Sequence, residues 1–331
     1  MEFKTALATL VKNSATFTLL TAPMGWGKTR LVWNLLEDVQ KIVFFCPLRS
    51  IVEELQSREN VFCFLGDRDR EEVIKEFWKA EKGILVVTVE SFPWILLEEL
   101  VEDLNPLFVL DEFHLFYEWG RDFRPKLFEI FKCLVLLRSR ILSLTATAEE
   151  AFLSELKDDL SRNDITSYFI DLGNFQYKYD PRNEYTLLKD ALNTKFLIHC
   201  YLYKKGRIAY FFKTKKELYS MKEQLRRKGV DVTICVGGKV KEFVLQEEKQ
   251  KRVILATSAL SHGVNIRNLR KIFLSYHPPK YLRYQMIGRG GRFGEGLDVY
   301  ELAKGDKDPS LVDKIKRYIN NLILEGCSLF L

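Results

Sequence analysis

The chain has 331 residues, enough for about two ordinary domains, and its 47% hydrophobic and 29% charged residues are typical of a soluble globular protein. No apolar run approaches the roughly 18 residues of a membrane helix, and an amphipathic start with Glu2 and Lys4 excludes a signal peptide. A net charge of +6 is compatible with an anionic polymer as partner. Six cysteines without a C-x-x-C pair argue against zinc and iron–sulfur sites and predict an intracellular, cytoplasmic setting.

The first predicted elements surround a glycine-rich loop. Residues 2–13 are predicted as an amphipathic helix and residues 15–20 as a strand, and helical spacing follows over residues 30–40. Between them lies Thr21-Ala-Pro-Met-Gly-Trp-Gly-Lys-Thr29. A strand, a glycine loop, Lys-Thr and a helix together form a cradle for phosphate, because backbone N–H groups and the helix dipole face the anion.

This loop predicts a site for ATP and Mg²⁺. Lys28 is expected to reach the outer phosphates and Thr29 to hold the metal ion. Ala22 stands where the first glycine of the pattern is usual, and Trp26 is unusual in such a loop, where we expect it to pack beside the base. A chance turn is the alternative interpretation. The expected nucleotide-binding residues of the loop are Ala22, Pro23, Met24, Gly25, Trp26, Gly27, Lys28 and Thr29.

Strands and helices then alternate along the first half of the chain. Strands are predicted at residues 41–46, 83–89, 107–110 and 139–144, and helices at residues 51–57, 71–80, 91–104 and 123–137. Polar residues follow several of the strands. This alternation predicts a parallel α/β sheet with its site at the carboxyl edge.

A polar, aromatic stretch at residues 173–183 interrupts the pattern and predicts a linker, which we place at residues 175–184. The pattern then restarts, with helices at residues 185–203, 215–228 and 308–324 and strands at residues 207–212, 230–236, 253–256, 271–275 and 297–302. The two halves resemble one kind of unit used twice. The predicted domains are therefore residues 1–174 and residues 185–331.

Two polar constellations carry the predicted chemistry. Asp111 and Glu112 follow a strand downstream of the phosphate loop, and we assign Asp111 to the metal and Glu112 to the base that draws a proton from water. A solvated acidic pair is the alternative. His114 is interpreted as a coupling residue and not as a proton-transfer agent.

The second constellation is Gln285-Met-Ile-Gly-Arg-Gly-Gly-Arg292. Phosphoryl transfer needs a cation on the developing γ-phosphate charge, and a second domain can supply it. Arg292 is the first choice for that cation and Arg289 the second, while Gln285 would place the water or the phosphate. The alternative is a glycine-rich basic loop that only binds anions.

Taken in order, the motifs resemble those of superfamily 2 DExH helicases. They are Ala22-x-x-Gly-x-Gly-Lys-Thr29, Asp111-Glu-Phe-His114, Thr145-Ala-Thr147, Ala256-Thr-Ser with Gly263-Val-Asn265, and Gln285-x-x-Gly-Arg-x-Gly-Arg292. The residue sequences of these motifs are most similar to those of the Ski-like and archaeal repair branch, with CRISPR-associated helicases as second choice. The resemblance spans residues 20–295. It implies two tandem RecA-like domains with parallel sheets, with ATP and Mg²⁺ in the cleft between them.

The resemblance also implies roles for individual residues. His114, Thr145 and Thr147 would couple the nucleotide to the bound strand, and Gly263 and Asn265 would contact the nucleotide. No glutamine motif precedes Lys28, which leaves the nucleotide selectivity open. The residues implied to grip the sugar-phosphate strand are Pro47, Arg49, Thr88, Glu90, Ser91, Lys213, Thr214 and Thr257. A strand-end threonine can instead cap a helix.

The resulting hypothesis is an ATP-dependent helicase or translocase that acts on single-stranded DNA or RNA, 3′ to 5′, through closure of two domains. The alternative is an ATP-gated nucleic-acid-binding module with little intrinsic unwinding. We expect no appended strand-separating domain after the second core, and therefore a partner protein that supplies this function. Candidate wedges are residues 66–70 and 118–124, where Trp119 and Phe123 would stack on a base or, alternatively, pack into the core.

Overall fold

The structure is a computed structural model that describes residues 2–13, 15–64, 69–245, 250–261 and 266–304. The chain divides into two units, Met1–Gln176 and Tyr177–Leu331. This division falls at residues that the sequence predicts as linker, and the domain limits given above remain predictions.

The first unit is built on one parallel sheet of seven strands. Its spatial order is β3-β4-β2-β5-β6-β1-β7. Long apolar runs form these strands because both faces of the sheet are covered by helices, and β1 and β2 are buried along their whole length. The strands are β1 Thr16–Thr21, β2 Lys41–Cys46, β3 Val61–Cys63, β4 Gly83–Thr88, β5 Leu107–Leu110, β6 Arg140–Thr145 and β7 Thr166–Asp171.

In the described part of the first unit, eight helices cover this sheet. They are α1 Glu2–Leu10, α2 Lys28–Val39, α3 Arg49–Leu55, α4 Arg70–Lys79, α5 Leu97–Leu104, α6 His114–Asp122, α7 Pro125–Leu136 and α8 Glu150–Arg162. The apolar sides of α1 to α3 pack into one buried cluster and those of α4 to α8 into a second. The two clusters share no residue, as expected for a sheet that is covered on both faces.

The second unit repeats this architecture with six parallel strands in the order β10-β11-β9-β12-β13-β8. It also holds two separate buried clusters. Its elements are β8 Asn183–Leu187, α9 Lys189–Leu202, β9 Arg207–Phe211, α10 Lys215–Arg227, β10 Val232–Cys235, α11 Val240–Leu245, β11 Val253–Ala256, β12 Leu269–Leu274, α12 Lys280–Ile287 and β13 Asp298–Leu302. The predicted α/β class with parallel sheets in both halves is therefore confirmed.

One predicted helix, residues 91–104, is wrong over its first half. Val89–Ser91 and Trp94–Leu96 form single 3₁₀ turns, and α5 starts only at Leu97. Phe92 is extended (φ −69°, ψ 132°) because a residue before proline is pushed out of the helical region. Pro93 itself has a ψ of 96°, so the chain cannot enter the helix there.

The predicted helix at residues 185–203 is also wrong at its start. Asn183–Leu187 is strand β8, which pairs residue by residue with β13. Leu188 is extended (ψ 155°) and α9 begins after it. Tyr185 stacks on Tyr300 of β13 with ring centroids 4.9 Å apart. The tyrosine and threonine of this segment favour a strand, and cross-strand aromatic packing stabilises it.

Six elements of the described chain fall where no element was predicted: β3, α6, α8 and β7 in the first unit, and α11 and α12 in the second. The segment expected as a wedge, residues 118–124, is therefore the last turn of α6 and the short turn before α7. The other wedge candidate lies largely outside the described residues, as does the predicted helix at residues 308–324.

In the described part of the chain, no helix combines the length and hydropathy needed to cross a bilayer.

Candidate nucleotide and nucleic-acid sites

The carboxyl ends of β1, β6 and β5 bring three predicted motifs together in the first unit. β6 lies between the other two strands and pairs with both. The N–H of Ala22 donates to the Thr145 carbonyl (3.1 Å), and the N–H of Phe113 donates to that of Leu144 (2.9 Å). The phosphate loop, the Thr145-Ala-Thr147 motif and the acidic pair therefore form one continuous edge.

The phosphate loop has the backbone that its glycines permit. Gly25 and Gly27 have φ values of 76° and 108°, a left-handed region that strains other residues. Gly27 is the N-cap of α2, so Lys28 and Thr29 are the first two helical residues. The Lys28 ammonium donates to the carbonyls of Ala22 (2.9 Å) and Pro23 (3.3 Å). The cation thus lies inside the loop, where a phosphate group would meet it.

A segment that only partly overlaps the predicted linker braces this loop. The Asp171 carboxylate accepts hydrogen bonds from the Thr21 hydroxyl and from the N–H groups of Gly173 and Asn174, all at 2.8 Å. The Met24 N–H donates to the Gln176 carbonyl (3.2 Å). A Cβ on Gly173 would lie 2.8 Å from Pro23 Cγ. Residues 171–176, named here the bracing segment, therefore fix the outer side of the phosphate loop.

The bracing segment also holds the motif of β6. The Asn174 side chain accepts from the N–H of Ala148 (2.8 Å) and donates to its carbonyl (2.7 Å). The N–H of Phe175 donates to the Ala146 carbonyl (3.0 Å). The signal that could have revealed this segment is Asp-Leu-Gly-Asn directly after a strand, because aspartate and asparagine bond to nearby backbone in such turns.

The acidic pair lies at the end of β5. Asp111 is 9% exposed. Its burial and the charge of Glu112 raise the pKa of its carboxyl to about 7, and the charge of Lys28 opposes this rise. Glu112 has a positive φ of 48°, which is uncommon for a residue with a side chain. The left-handed backbone turns Glu112 away from the direction of the strand, so the two carboxylates serve different neighbours.

These donors fit a magnesium ion of the nucleotide-bound type. No cluster of three or more histidine, cysteine, aspartate or glutamate side chains suited to a metal occurs in the described ranges. Mg²⁺ in nucleotide sites uses one or two protein oxygen ligands, with phosphates and water completing the shell. The Asp111 carboxylate and the Thr29 hydroxyl are ligands of this kind. Bound there, the ion would neutralise phosphate charge and stabilise the ionised form of Asp111.

His114 is the first residue of α6 and is 2% exposed. Its Nδ1 lies 2.9 Å from the Thr145 hydroxyl and 3.7 Å from a Glu112 carboxylate oxygen. The Thr145 oxygen also accepts from the N–H of Thr147 (3.1 Å). Burial, with a smaller contribution from the charge of Lys28, lowers the pKa of His114 to about 3. The imidazole is therefore neutral; it is hydrogen-bonded to the β6 motif at Thr145 and lies beside the acidic pair.

Arg124, which the sequence analysis missed, connects the predicted nucleic-acid residues of the first unit. Its guanidinium donates to both Glu90 carboxylate oxygens at 2.7 Å. It also donates to the Pro47 carbonyl and lies 5.6 Å from the Trp119 ring centroid. A bidentate arginine–carboxylate pair is geometrically specific. Glu90 is therefore occupied as an anchor for Arg124, a role that its position after β4 could not show.

Other residues at the same ends of β2 and β4 are placed as follows. The Thr88 hydroxyl donates to the Ser91 hydroxyl (3.1 Å), which donates to the Thr88 carbonyl (2.9 Å). Arg49 is the first residue of α3, and its side chain is 71% exposed. Phe123 is 65% exposed, and its ring centroid lies 5.5 Å from that of Trp119. The first unit thus offers an exposed aromatic ring and an exposed cation, the latter paired with Glu53 at 3.4 Å.

The predicted strand contacts of the second unit lie where β9 and β11 end. Thr214 is the N-cap of α10, its hydroxyl accepting from the Glu217 N–H (3.2 Å). The Glu217 carboxylate accepts from the Thr214 N–H in turn (3.0 Å), which completes a capping box. Lys213 is exposed and Thr257 is 9% exposed. The Thr214 hydroxyl therefore has a helix-capping role, the alternative that the sequence analysis kept open.

The basic motif of the second unit starts in α12. Gln285 and Arg289 are 1% and 4% exposed. Arg292 is half-buried and donates from Nε to the Gly288 carbonyl (2.8 Å). Burial favours a positioning role for the first two, whereas Arg292 keeps access to solvent. Gly263 and Asn265 lie outside the described residues.

Trp26 is 39% exposed and contacts α1 instead of the core. Its ring meets that of Phe3 edge to face with centroids 6.0 Å apart. Together the two rings form an aromatic surface on the α1 side of the phosphate loop. Such a surface could stack on a nucleobase without hydrogen bonds that would select one base, and the role of Trp26 beside the base stays a prediction.

Comparison with protein families decides the class. A DEAD/DEAH box helicase profile matches residues 4–156, and a helicase conserved C-terminal domain profile matches residues 192–294. The chain belongs to the superfamily 2 helicases. The proteins of this class are ATP-hydrolysing helicases.

Individual relatives are similar at low identity. The chain is 25% identical over 259 residues to the ATP-dependent DNA helicase RecQ of Haemophilus influenzae, covering 74% of this chain and 41% of that protein. It is 25% identical over 312 residues to the ATP-dependent RNA helicase eIF4A of Eremothecium gossypii, covering 88% and 72%. It thus spans less than half of the RecQ relative.

Among solved structures, the fold is similar to that of Dbp5 of S. cerevisiae, described as bound to RNA and ADP BeF3. The TM-score is 0.66 at 15% identity, over 92% of this chain and 83% of that chain. The similarity shows that both units have the RecA-like fold of helicases.

Proposed function

We propose that this superfamily 2 helicase hydrolyses ATP to move along or remodel single-stranded nucleic acid, in the 3′ to 5′ direction. The observation that carries the proposal is the shared sheet edge of the first unit, where Lys28, the acidic pair and the His114–Thr145 contact adjoin. Within the superfamily, the motifs resemble the Ski-like and archaeal repair branch, with CRISPR-associated helicases second. This branch assignment remains a proposal beside the RecQ and eIF4A similarities.

In the proposed reaction, the phosphate loop binds the phosphates, and Thr29 and Asp111 would hold Mg²⁺. Bound there, the ion would neutralise phosphate charge. Glu112 accepts a proton from the attacking water, which then adds to phosphorus as the β,γ-bridging bond breaks. When the two units close, Arg292 stabilises the γ-phosphate charge, while the buried Gln285 and Arg289 act as positioning residues of the same motif.

The nucleic-acid strand would be held by hydroxyls, backbone groups and cations at strand ends, as suits sequence-independent binding. In the first unit these are Pro47, Arg49, Thr88 and Ser91, with Glu90 acting through Arg124. Phe123 offers an exposed ring for stacking beside them, and Lys213 and Thr257 extend the grip in the second unit. Both DNA and RNA remain candidates because the relatives act on either.

α6 provides the proposed route from nucleic acid to ATP. Its first residue, His114, contacts the Thr145-Ala-Thr147 motif and Glu112. The other end of α6 lies beside Phe123 and the Arg124–Glu90 pair. A bound nucleic-acid strand that moves this end of α6 would therefore affect Glu112, the proposed general base, through a single nine-residue helix. Coupling of this kind needs no pathway through the rest of the unit.

The test is hydrolysis of ATP by the purified chain with single-stranded DNA and single-stranded RNA side by side. We expect Mg²⁺-dependent phosphate release that at least one of them stimulates, together with ATP-driven movement in a strand-displacement assay. No phosphate release under any condition would contradict the proposal. Nucleotide-dependent binding without turnover would identify the chain as an ATP-gated binding module. Duplex unwinding that needs an added partner protein would identify a translocase.

A further inference from the structure

A row of basic side chains follows the amino-terminal edge of the second sheet, opposite the edge that carries Lys213, Thr214 and Thr257. Four neighbouring strands, in the spatial order β10-β11-β9-β12, begin beside it. We name this row the basic edge and define it by Lys204, Lys205, Arg227, Lys228, Lys251, Arg267 and Arg270. The proposed ATP and single-strand sites use none of these residues.

Backbone contacts show that the loops of the basic edge touch each other. The Asn268 carbonyl accepts from the Arg207 N–H (2.8 Å), and the Asn268 side chain donates to the Lys205 carbonyl (3.4 Å). The Tyr201 hydroxyl donates to the Lys228 carbonyl (2.9 Å). A Cβ on Gly206 would lie 2.7 Å from Arg270 Cδ. The cations preceding β9, β10 and β12 therefore belong to one continuous surface.

A half-buried arginine fixes the middle of this surface. The Arg252 guanidinium donates to the carbonyls of Cys200 and Tyr203 and to that of His199 (3.2 Å). These carbonyls end α9, so the guanidinium also neutralises the negative end of that helix. The loop that carries Lys204 and Lys205 is held rigidly against β11, which leaves its two ammonium groups projecting from a fixed base.

Much of the positive charge is not neutralised. Lys204, Lys205, Arg227 and Lys228 are exposed and form no ion pair with any residue in the described ranges. Among the described residues, Asp231 and Glu223 are the carboxylates that form ion pairs beside the row, and each pairs with its own cation. Asp231 pairs with Lys251 at 3.4 Å and Glu223 with Arg226 at 3.2 Å. Concentrated like charge destabilises a folded unit unless an anion is bound.

We propose that the basic edge binds the phosphate backbone of nucleic acid, as a second contact separate from the carboxyl edge of the same sheet. Four strands at about 4.8 Å spacing span roughly 14 Å. One strand of B-form DNA carries about four phosphates over that length, at 3.4 Å of axial rise each. Exposed lysines on flexible stems bind phosphates without reading bases.

The inference rests on the proposed nucleic-acid substrate but not on ATP hydrolysis. A second contact would keep the protein on its substrate while the carboxyl edge releases the strand during each cycle. The basic edge should accordingly bind duplex and single strands alike, because both present the same phosphates.

The test replaces four exposed cations with glutamine, in the variant K204Q/K205Q/R227Q/K228Q. The control K75Q/K79Q/K189Q/K195Q removes the same charge from exposed lysines elsewhere. Fluorescence anisotropy would measure binding to labelled 30-nucleotide single strands and 30-base-pair duplexes between about 50 and 200 mM salt. We expect the slope of log K against log salt to fall by roughly 3, and the affinity about tenfold, only in the first variant.

Equal affinity and salt slope in the two variants would overturn the proposal. So would an effect confined to vesicles containing phosphatidylserine, which would assign the basic edge to a lipid surface. ATP turnover without nucleic acid should be the same in both variants. If binding depends on the basic edge while nucleic acid fails to stimulate ATP hydrolysis, this inference stands and the proposed function fails.

Discussion

At the scale of single residues, Lys28 and Glu112 should separate binding from chemistry. We expect K28A to lose ATP affinity, because its ammonium is the cation inside the phosphate loop. E112Q should keep ATP affinity and lose turnover by roughly 10²- to 10⁴-fold, the range of general-base catalysis. Nucleotide affinity by fluorescence titration and phosphate release by steady-state kinetics give the two quantities.

Both variants should retain most of their affinity for single-stranded nucleic acid, since neither residue lies among the predicted strand contacts. E112Q should also accumulate an ATP-bound complex on nucleic acid. Turnover within a few-fold of the parent in either variant would show that the site has been assigned to the wrong residues.

At the scale of elements, Arg124 joins three separate segments: the end of β2, the turn after β4 and the start of α7. R124K keeps the charge but loses the fork that bonds both Glu90 oxygens. We expect about a tenfold rise in the nucleic-acid concentration that half-maximally stimulates hydrolysis, with hydrolysis in the absence of nucleic acid unchanged. ATPase assays over a range of nucleic-acid concentrations measure this half-maximal concentration.

R162A is the control for this experiment. Arg162 forms an ion pair with Asp159 on α8, and its side chain is 75% exposed, so its removal should change little. Equal effects of the R124K and R162A substitutions would mean that the arginine fork does not organise the nucleic-acid contacts.

The bracing segment gives a second prediction at this scale. D171A removes the acceptor of three hydrogen bonds, and we expect a loss of roughly 1–3 kcal/mol from the free energy of unfolding. It should also raise the KM for ATP, because the phosphate loop loses its outer support. D171N retains an oxygen acceptor at the same position. Its melting temperature and KM should therefore stay close to those of the parent.

A higher KM without a lower melting temperature in D171A would place Asp171 in direct contact with nucleotide. A lower melting temperature with an unchanged KM would show that the phosphate loop keeps its shape without the bracing segment.

The shared sheet edge was predictable from the sequence, because Thr21, Asp111 and Thr145 each end or follow an apolar strand and parallel strands of one sheet end at the same edge. Contacts between segments distant in sequence could not be predicted. Arg124 bonds to Pro47, 77 positions away, and Asp171 to Thr21, 150 positions away. The helix predicted at residues 185–203 is wrong only at its start, because the apolar residues there fit the helical period and the strand period alike. Pairing with β13 decides that they form a strand.

At the scale of the whole molecule, the proposed mechanism requires the second unit to contribute to chemistry in the first. We expect R292A to bind ATP with near-parental affinity and to lose turnover by roughly 10³-fold, as removal of an arginine finger does. Single-turnover hydrolysis with nucleic acid saturating isolates the chemical step. R283A, which breaks ion pairs with Glu184 and Glu301 in the same unit, controls for local disruption.

Loss of ATP affinity in R292A, without a slower chemical step, would make Arg292 an ordinary anion-binding residue. The repeated α/β unit itself was predictable, since both halves alternate strands and helices. The sequence could not predict which arginine of the glycine-rich motif stays accessible to solvent. The burial of Arg289 against the half-exposure of Arg292 depends on packing that spacing does not encode.

The left-handed backbone of Glu112 sets stability against activity. At a φ of 48°, a side chain costs about 1–2 kcal/mol relative to glycine. E112A and E112G both remove the carboxylate, but we expect E112G to be the more stable by about 1 kcal/mol in chemical denaturation. Equal stability would show that the turn is unstrained. A lineage that no longer needed hydrolysis would gain stability by replacing this glutamate with glycine, so its retention would mark continued selection for turnover.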